Sequence, residues 1–236
     1  MRVIGHRGAA GHAPENTLAA LRYALDCGVD MVEIDVRLVD DALIVLHDET
    51  LARTTSGTGH YKALALAQLR ALDAGQGERI PLLEEVLALI DGRIGLNVEV
   101  KEAGIAAAVI TCLEYHTRAR PAWRQHLLLS SFDVTTSAAL AAQRGTMAFG
   151  LLYQEPFDAA LTRACTLGAR SLHMALAKLD SDAVAQAHAR GIEVLVYTVN
   201  EPAAIARCRV AAVDGVFSDF PERVIASNRA AMAGRR

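Results

Sequence analysis

Apolar and polar positions along the chain fall into two rhythms. In "MVEIDVRLV" (31–39), Val32, Ile34, Val36 and Leu38 alternate with Glu33, Asp35 and Arg37. A period of two predicts a strand with its apolar set on one face and its charged set on the other. "NTLAALRYALDCG" (16–28) follows the other rhythm. Leu18, Leu21 and Leu25 share one helical face, and Gly28 marks the stop. Further strands are predicted at 2–6, 94–101, 126–132, 147–153, 169–173, 192–199 and 214–219. Helices are predicted at 81–90, 103–116, 134–144, 157–167, 180–190, 201–209 and 221–231.

Eight strands, each followed by a helix, predict an α/β protein of the (β/α)8 TIM-barrel class, whose usual length is about 250 residues. The competing fold is a doubly wound open sheet, which usually has about six strands and a Gly-rich phosphate turn after the first. "GHRGAAG" (5–11) is glycine-rich but is not G-x-G-x-x-G, and the barrel is preferred. "ALIVLHDE" (42–49) predicts an excursion paired to the second strand. After it, "RTTSGTGHYK" (53–62) is rich in turn residues and "ALALAQLRAL" (63–72) predicts a short helix. The expected organisation is one domain over 1–236 with a small insertion at about 47–80. Long connections of this kind inside a compact domain are usually functional or disordered.

Composition narrows the function. The 236 residues are 52% hydrophobic and 22% charged with a net charge of −3, which describes a globular chain and gives no basic surface for nucleic acid. No apolar run approaches the ~18–20 residues of a membrane span, so no stable membrane insertion is expected. The chain enters an apolar strand at once, without the pattern of a signal peptide. Cys27, Cys112, Cys165 and Cys208 are widely spaced with no Cys-x-x-Cys pair, and are expected as reduced, buried thiols of a cytoplasmic protein. Nothing in the pattern specifies an oligomeric state.

In a (β/α)8 barrel, catalytic groups sit at the C-terminal ends of the strands. Polar residues collect there: His6 and Arg7; Glu33, Asp35 and Arg37; Asn97, Glu99 and Lys101; Ser130, Ser131 and Phe132; His173; Tyr197, Thr198 and Asn200; Ser218 and Asp219. Residues two apart on a strand are about 6.6 Å apart at Cα, so Glu33 and Asp35 can lean toward a common cation, with Glu99 joining from the next strand. An all-oxygen set favours a hard cation, Mg2+ or Ca2+. The alternative is a salt-bridge cluster neutralised by Arg37 or Lys101. His6 and His47 have the right chemistry for proton transfer near neutral pH, and Arg7 and Lys101 suit a phosphate. Together these groups describe metal-assisted phosphodiester chemistry without naming the diester.

"GHRGAAGHAPENTLAAL" (5–21), "EIDVRLVDDALIVLHDETLARTTSGTG" (33–59), "RIPLLEEVL" (79–87), "NVEVK" (97–101), "SSF" (130–132), "VYTVN" (196–200) and "GVFSDFP" (215–221) resemble the glycerophosphodiester phosphodiesterase family over nearly the whole chain. The resemblance implies a (β/α)8 barrel with a small insertion after the second strand. It also implies hydrolysis of small-molecule glycerophosphodiesters to sn-glycerol 3-phosphate and an alcohol with one divalent cation. It implies His6 and His47 as the acid/base pair, Glu33, Asp35 and Glu99 as metal ligands, and Arg7 and Lys101 at the phosphate. Glu15 and Asn16 would support the first loop. In the family the nucleophile is thought to be the glycerol 2-hydroxyl, through a cyclic phosphate. Phe132, His173 and Tyr197 are expected as substrate walls, with Tyr197 standing where relatives often carry Trp and Asp40-Asp41 where they often carry Asp-Gly. The stretch between 72–75 and 78–87 is short for the family, so a smaller lid is expected. Lysophospholipase D activity and a non-catalytic phosphometabolite-binding barrel are the alternatives.

Overall fold

The computed structural model describes residues 1–233. Among them, eight parallel strands close into a ring. They are β1 (Arg2–Gly5), β2 (Met31–Val39), β4 (Gly95–Val100), β5 (Leu127–Ser131), β6 (Ala148–Leu152), β7 (Ser171–Ala175), β8 (Glu193–Tyr197) and β9 (Gly215–Ser218). Strand β1 pairs with both β2 and β9, which seals the barrel. Strand β3 (Ala42–Val45) lies outside the ring and runs antiparallel to the extended end of β2. Between the strands run α1 (Leu18–Cys27), α3 (Leu83–Ile90), α4 (Ala106–His116), α5 (Val134–Gln143), α6 (Phe157–Leu167), α7 (Ser181–His188), α8 (Pro202–Val210) and α9 (Pro221–Ala233), while α2 (Leu66–Leu69) belongs to the excursion.

Local chemistry sets the boundaries. Thr17 caps α1 by accepting from the Ala20 amide, and Gly28 ends it in the left-handed conformation. Gly8 has φ +86°, and a Cβ there would come within 2.6 Å of the Ala20 carbonyl carbon. Only glycine lets the first loop lie this close to α1. Strand β7 starts two residues later than its apolar run suggests. Gly168 closes α6 in the left-handed conformation, and Ala169 is still bonded to the Ala164 carbonyl (2.9 Å). The helix predicted over 63–72 is shorter, a 3-10 turn at Tyr61–Ala63 followed by α2.

The main core lies between the ring and the helices and includes Val32, Ile34, Val36, Val98 and Val100. The same alternation turns Glu33, Asp35 and Glu99 toward the barrel interior. The lower interior is filled by Ile4, Leu128, Leu195 and Phe217, so the barrel is a packed core with a polar mouth. The excursion has its own core of Val39, Ile44, Leu46, Leu51, Tyr61, Leu69, Ala74 and Ile80. It is anchored at Glu102, which accepts from the Tyr61 hydroxyl (2.9 Å), the Lys62 ammonium (2.5 Å) and the Leu38 amide (2.5 Å). No helix among the described residues is long and apolar enough to cross a membrane. The four cysteines are free, as expected, but their burial differs: Cys208 is buried, Cys27 and Cys112 are half-buried and Cys165 is exposed.

Candidate active site

Register brings the acids together. Glu33 stands beside Asn97, and Asp35 beside Glu99, in the parallel β2–β4 pair. One oxygen from each of Glu33, Asp35 and Glu99 lies within 4.8 Å of the others, so the group could hold a metal ion. The donor set is all carboxylate and largely buried, which fits a hard divalent cation. Burial, and next the charge of Asp35, push the Glu33 carboxyl up to about 8, against the pull of His6 and Arg7. Burial and Asp35 also push Glu99 upward, against Lys101. Asp35 moves the other way. Burial opposes its charge, but Lys101, Arg7, His47 and the Asn16 amide outweigh it and hold the carboxylate ionised.

Asn16 makes two bonds to Asp35, from its Nδ2 to Oδ2 (2.8 Å) and to its Oδ1 from the Asp35 amide (3.2 Å). Lys101 Nζ sits 2.5 Å from Glu99 and 3.4 Å from Asp35. Arg7 Nε is 3.3 Å from Asp35, and the Arg7 amide donates to Glu33 (2.8 Å). That amide bond accompanies a backbone of φ 51°, which a non-glycine residue adopts only at a cost. Arg37 does not neutralise the acids. Its guanidinium donates to the His47 carbonyl (Nη2 at 2.7 Å, Nε at 3.1 Å) and packs over Tyr61, fixing the backbone that carries His47.

Each histidine leans on a carboxylate through Nδ1. His6 meets Asp219 at 2.7 Å, and His47 meets Asp48 at 2.6 Å. Both arrangements leave Nε2 free to face the cavity. The two rings differ in charge environment. Burial pulls His6 down, but the Asp219 hydrogen bond and the charge of Glu33 outweigh it and leave its pKa above the ordinary value. Burial pulls His47 down too, and with Lys101 and Arg7 nearby it stays below, despite Asp35 and Asp48.

Every sequence-predicted site residue except Asp35 lines one cavity of about 170 Å³: His6, Arg7, Glu33, His47, Glu99, Lys101, Phe132, His173 and Tyr197. Asp35 lies directly beneath, joined to Lys101 and Arg7. Phe132 and Tyr197 meet edge to face with centroids 6.0 Å apart. His173 forms part of the floor. Gly150 makes room for it, since a Cβ there would lie 2.3 Å from its Nε2. Burial, with Arg2 behind it, drives the His173 pKa down to about 3, so this imidazole is neutral. Asn97, expected among the polar strand ends, lines the cavity as well, whereas Asp48 and Arg53 were not expected at the site. Asp219 was expected at a strand end, and its partner is His6. The signals were the Asp that follows His47 and the Asp that ends "VFSD".

The profile of the Glycerophosphoryl diester phosphodiesterase family matches residues 6–223. The chain belongs to this family. A glycerophosphodiester phosphodiesterase of Caldanaerobacter subterraneus subsp. tengcongensis is 34% identical, with 94% of this chain and 96% of the relative covered. One from Bacillus altitudinis is 31% identical, covering 95% and 96%. The solved structure of an Oleispira antarctica phosphodiesterase in complex with the product sn-glycerol-3-phosphate superposes with a TM-score of 0.86 at 34% identity, covering 97% of each chain. The family is one of phosphoric diester hydrolases. The cavity at the top of this glycerophosphoryl diester phosphodiesterase barrel is therefore its candidate active site.

Proposed function

We propose that this protein, acting as a single catalytic domain in the cytoplasm, hydrolyses glycerophosphodiesters such as glycerophosphocholine or glycerophosphoethanolamine to sn-glycerol 3-phosphate and an alcohol. The observation that carries the reading is the meeting, in one cavity, of two carboxylate-backed histidines, two acids and two cations, with the third acid, Asp35, directly beneath. Glu33, Asp35 and Glu99 would hold one Mg2+ or Ca2+. That ion would draw charge from the phosphoryl oxygens. Arg7 and Lys101 grip the phosphate and stabilise the charge that grows on it. Support for this comes from their position beside both the acids and the histidines.

The unequal settings of the histidines favour an order of events. His47, the less basic ring, takes the proton of the attacking glycerol 2-hydroxyl. His6, the more basic, delivers its proton to the leaving alcohol oxygen as the P–O bond breaks. Water then opens the cyclic phosphate with the two roles exchanged. Phe132 and Tyr197 wall the departing group. Incubation with glycerophosphocholine in Mg2+, Ca2+ or EDTA, with glycerol 3-phosphate assayed, tests the proposal. Product should form with one or both cations and vanish on chelation. No product with either cation sinks the reading for this substrate, and product that survives full chelation removes the metal.

A further inference from the structure

Between the two loops that frame the cavity lies a chain of charge-assisted hydrogen bonds whose middle, Arg53 and Glu15, the chemistry above does not use. Arg53, in the excursion, donates Nε to Asp48 Oδ2 at 2.5 Å. Its two terminal nitrogens meet the two oxygens of Glu15 at 2.7 Å each. Glu15 in turn accepts from Arg7 at 2.7 Å, and Asp48 holds His47 through its other oxygen at 2.6 Å. The sequence of contacts is His47–Asp48–Arg53–Glu15–Arg7, and both ends line the cavity. Its middle lies on the rim, with the Arg53 side chain 47% exposed. An exposed ion pair of that kind ordinarily contributes little stability. Here one guanidinium satisfies two carboxylates from different loops, Asp48 five positions away and Glu15 38 positions away, with a planar fork that only arginine presents.

We propose that Arg53 is a positioning residue that sets two catalytic groups at once, the orientation of His47 through Asp48 and the reach of Arg7 through Glu15. The inference rests on the phosphodiesterase reading for its kinetic arm. The geometry divides the two effects. With Asp48 unsupported, the His47 ring loses the partner that fixes its tautomer, and the chemical step slows. With Glu15 unsupported, Arg7 keeps only Asp35 and the Glu33 contact, and its grip on the phosphate loosens.

The test compares wild type, Arg53→Ala, Arg53→Lys, Asp48→Asn and Glu15→Gln with glycerophosphocholine. Supporting shells of this kind are typically worth 10–100-fold, so kcat/KM of Arg53→Ala should fall by about that factor. Asp48→Asn should lower kcat with little change in KM, Glu15→Gln should mainly raise KM, and Arg53→Ala should do both. A fall in folded fraction lowers apparent kcat but cannot raise KM, so the split separates positioning from mere stability. Arg53→Lys, which can reach only one carboxylate, should recover part of the loss. Nitrogen–proton correlation spectra of histidine-labelled protein read the His47 tautomer without substrate. Wild type should show one Nδ1-protonated form, and Arg53→Ala a mixture. If wild type turns over nothing but the His47 spectrum responds to Arg53→Ala, the positioning role stands and the substrate reading fails. The proposal is overturned if Arg53→Ala keeps kcat and KM within twofold of wild type. It is equally overturned if the His47 spectrum is unchanged, or if Lys restores full activity.

Discussion

The Glu33 carboxyl gives the sharpest quantitative test of the cation site. Burial and its two acidic neighbours raise it from an ordinary 4.5 to about 8. At pH 7 roughly nine-tenths of the protein should then carry a proton on Glu33, and a divalent cation must displace it. Apparent cation affinity should rise about tenfold from pH 6 to 7, about fivefold from pH 7 to 8, and level off above pH 9. Calorimetric titration with Mg2+ or Ca2+ in buffers of different ionisation enthalpy counts the released protons. About 0.9 should be released per cation at pH 7 and about 0.1 at pH 9. The folding sign follows from the same group. An acid with a raised folded pKa binds its proton more tightly when folded, so its contribution favours the folded state below the unfolded value. That contribution is lost as pH rises from about 4.5 to about 8, up to a limit of roughly 5 kcal/mol. The rise in Tm on adding cation should therefore grow across that interval. Affinity that stays flat from pH 6 to 9, with no proton released at pH 7, refutes the argument. Glu33→Gln should remove most of the binding and flatten the pH dependence, with the raised Glu99 left to titrate.

Three further outcomes follow from the geometry. His6→Ala and His47→Ala should each lower kcat by about 10²–10⁴-fold with unchanged circular dichroism, and near-normal rates would remove their acid/base roles. Glu102→Gln weakens three hydrogen bonds that pin the excursion, so urea unfolding should show a loss of about 2–4 kcal/mol, and protease should cut first within 46–81. A loss under about 0.5 kcal/mol would place the anchor elsewhere. Gly150→Ala puts a methyl against the His173 ring and should cost about 1–3 kcal/mol, largely restored by adding His173→Ala, whereas simple additivity of the two changes would refute the clash.

The barrel and its acid trio were legible because both rest on local periodicity. The period of two in 31–39 and 94–101 sorts Val32, Ile34 and Val98 from Glu33, Asp35 and Glu99, and a closed ring turns the second set inward. The partner of His6 was hidden for a different reason. Asp219 reaches His6 across 213 positions, through the seam where β9 meets β1, and no local pattern carries that neighbour relation. Arg53 was read as part of a turn-rich loop, since its role exists only once the excursion folds back over Glu15. Arg37 shares a strand face with Glu33 and Asp35, but it sits where β2 has left the ring to pair with β3. Its guanidinium therefore finds the His47 carbonyl in place of the acids. The six-residue 3-10 segment Pro121–His126, which buries Trp123, has too few residues for any period to emerge.

The two histidines come from different parts of the architecture. His6 stands just past the end of a ring strand, tied to a residue just past another ring strand, and its place is set by the barrel itself. His47 is delivered by the excursion, two residues beyond β3, and is held by Arg37 from below and by Asp48 and Arg53 from the side. One histidine of the cavity is thus part of the chassis, and the other is mounted on an accessory. Tyr61, further along the same excursion, packs against Arg37, so the folding of the whole accessory bears, through Arg37, on where His47 sits. A change in the excursion's own core can therefore shift one histidine and leave the other where the ring puts it.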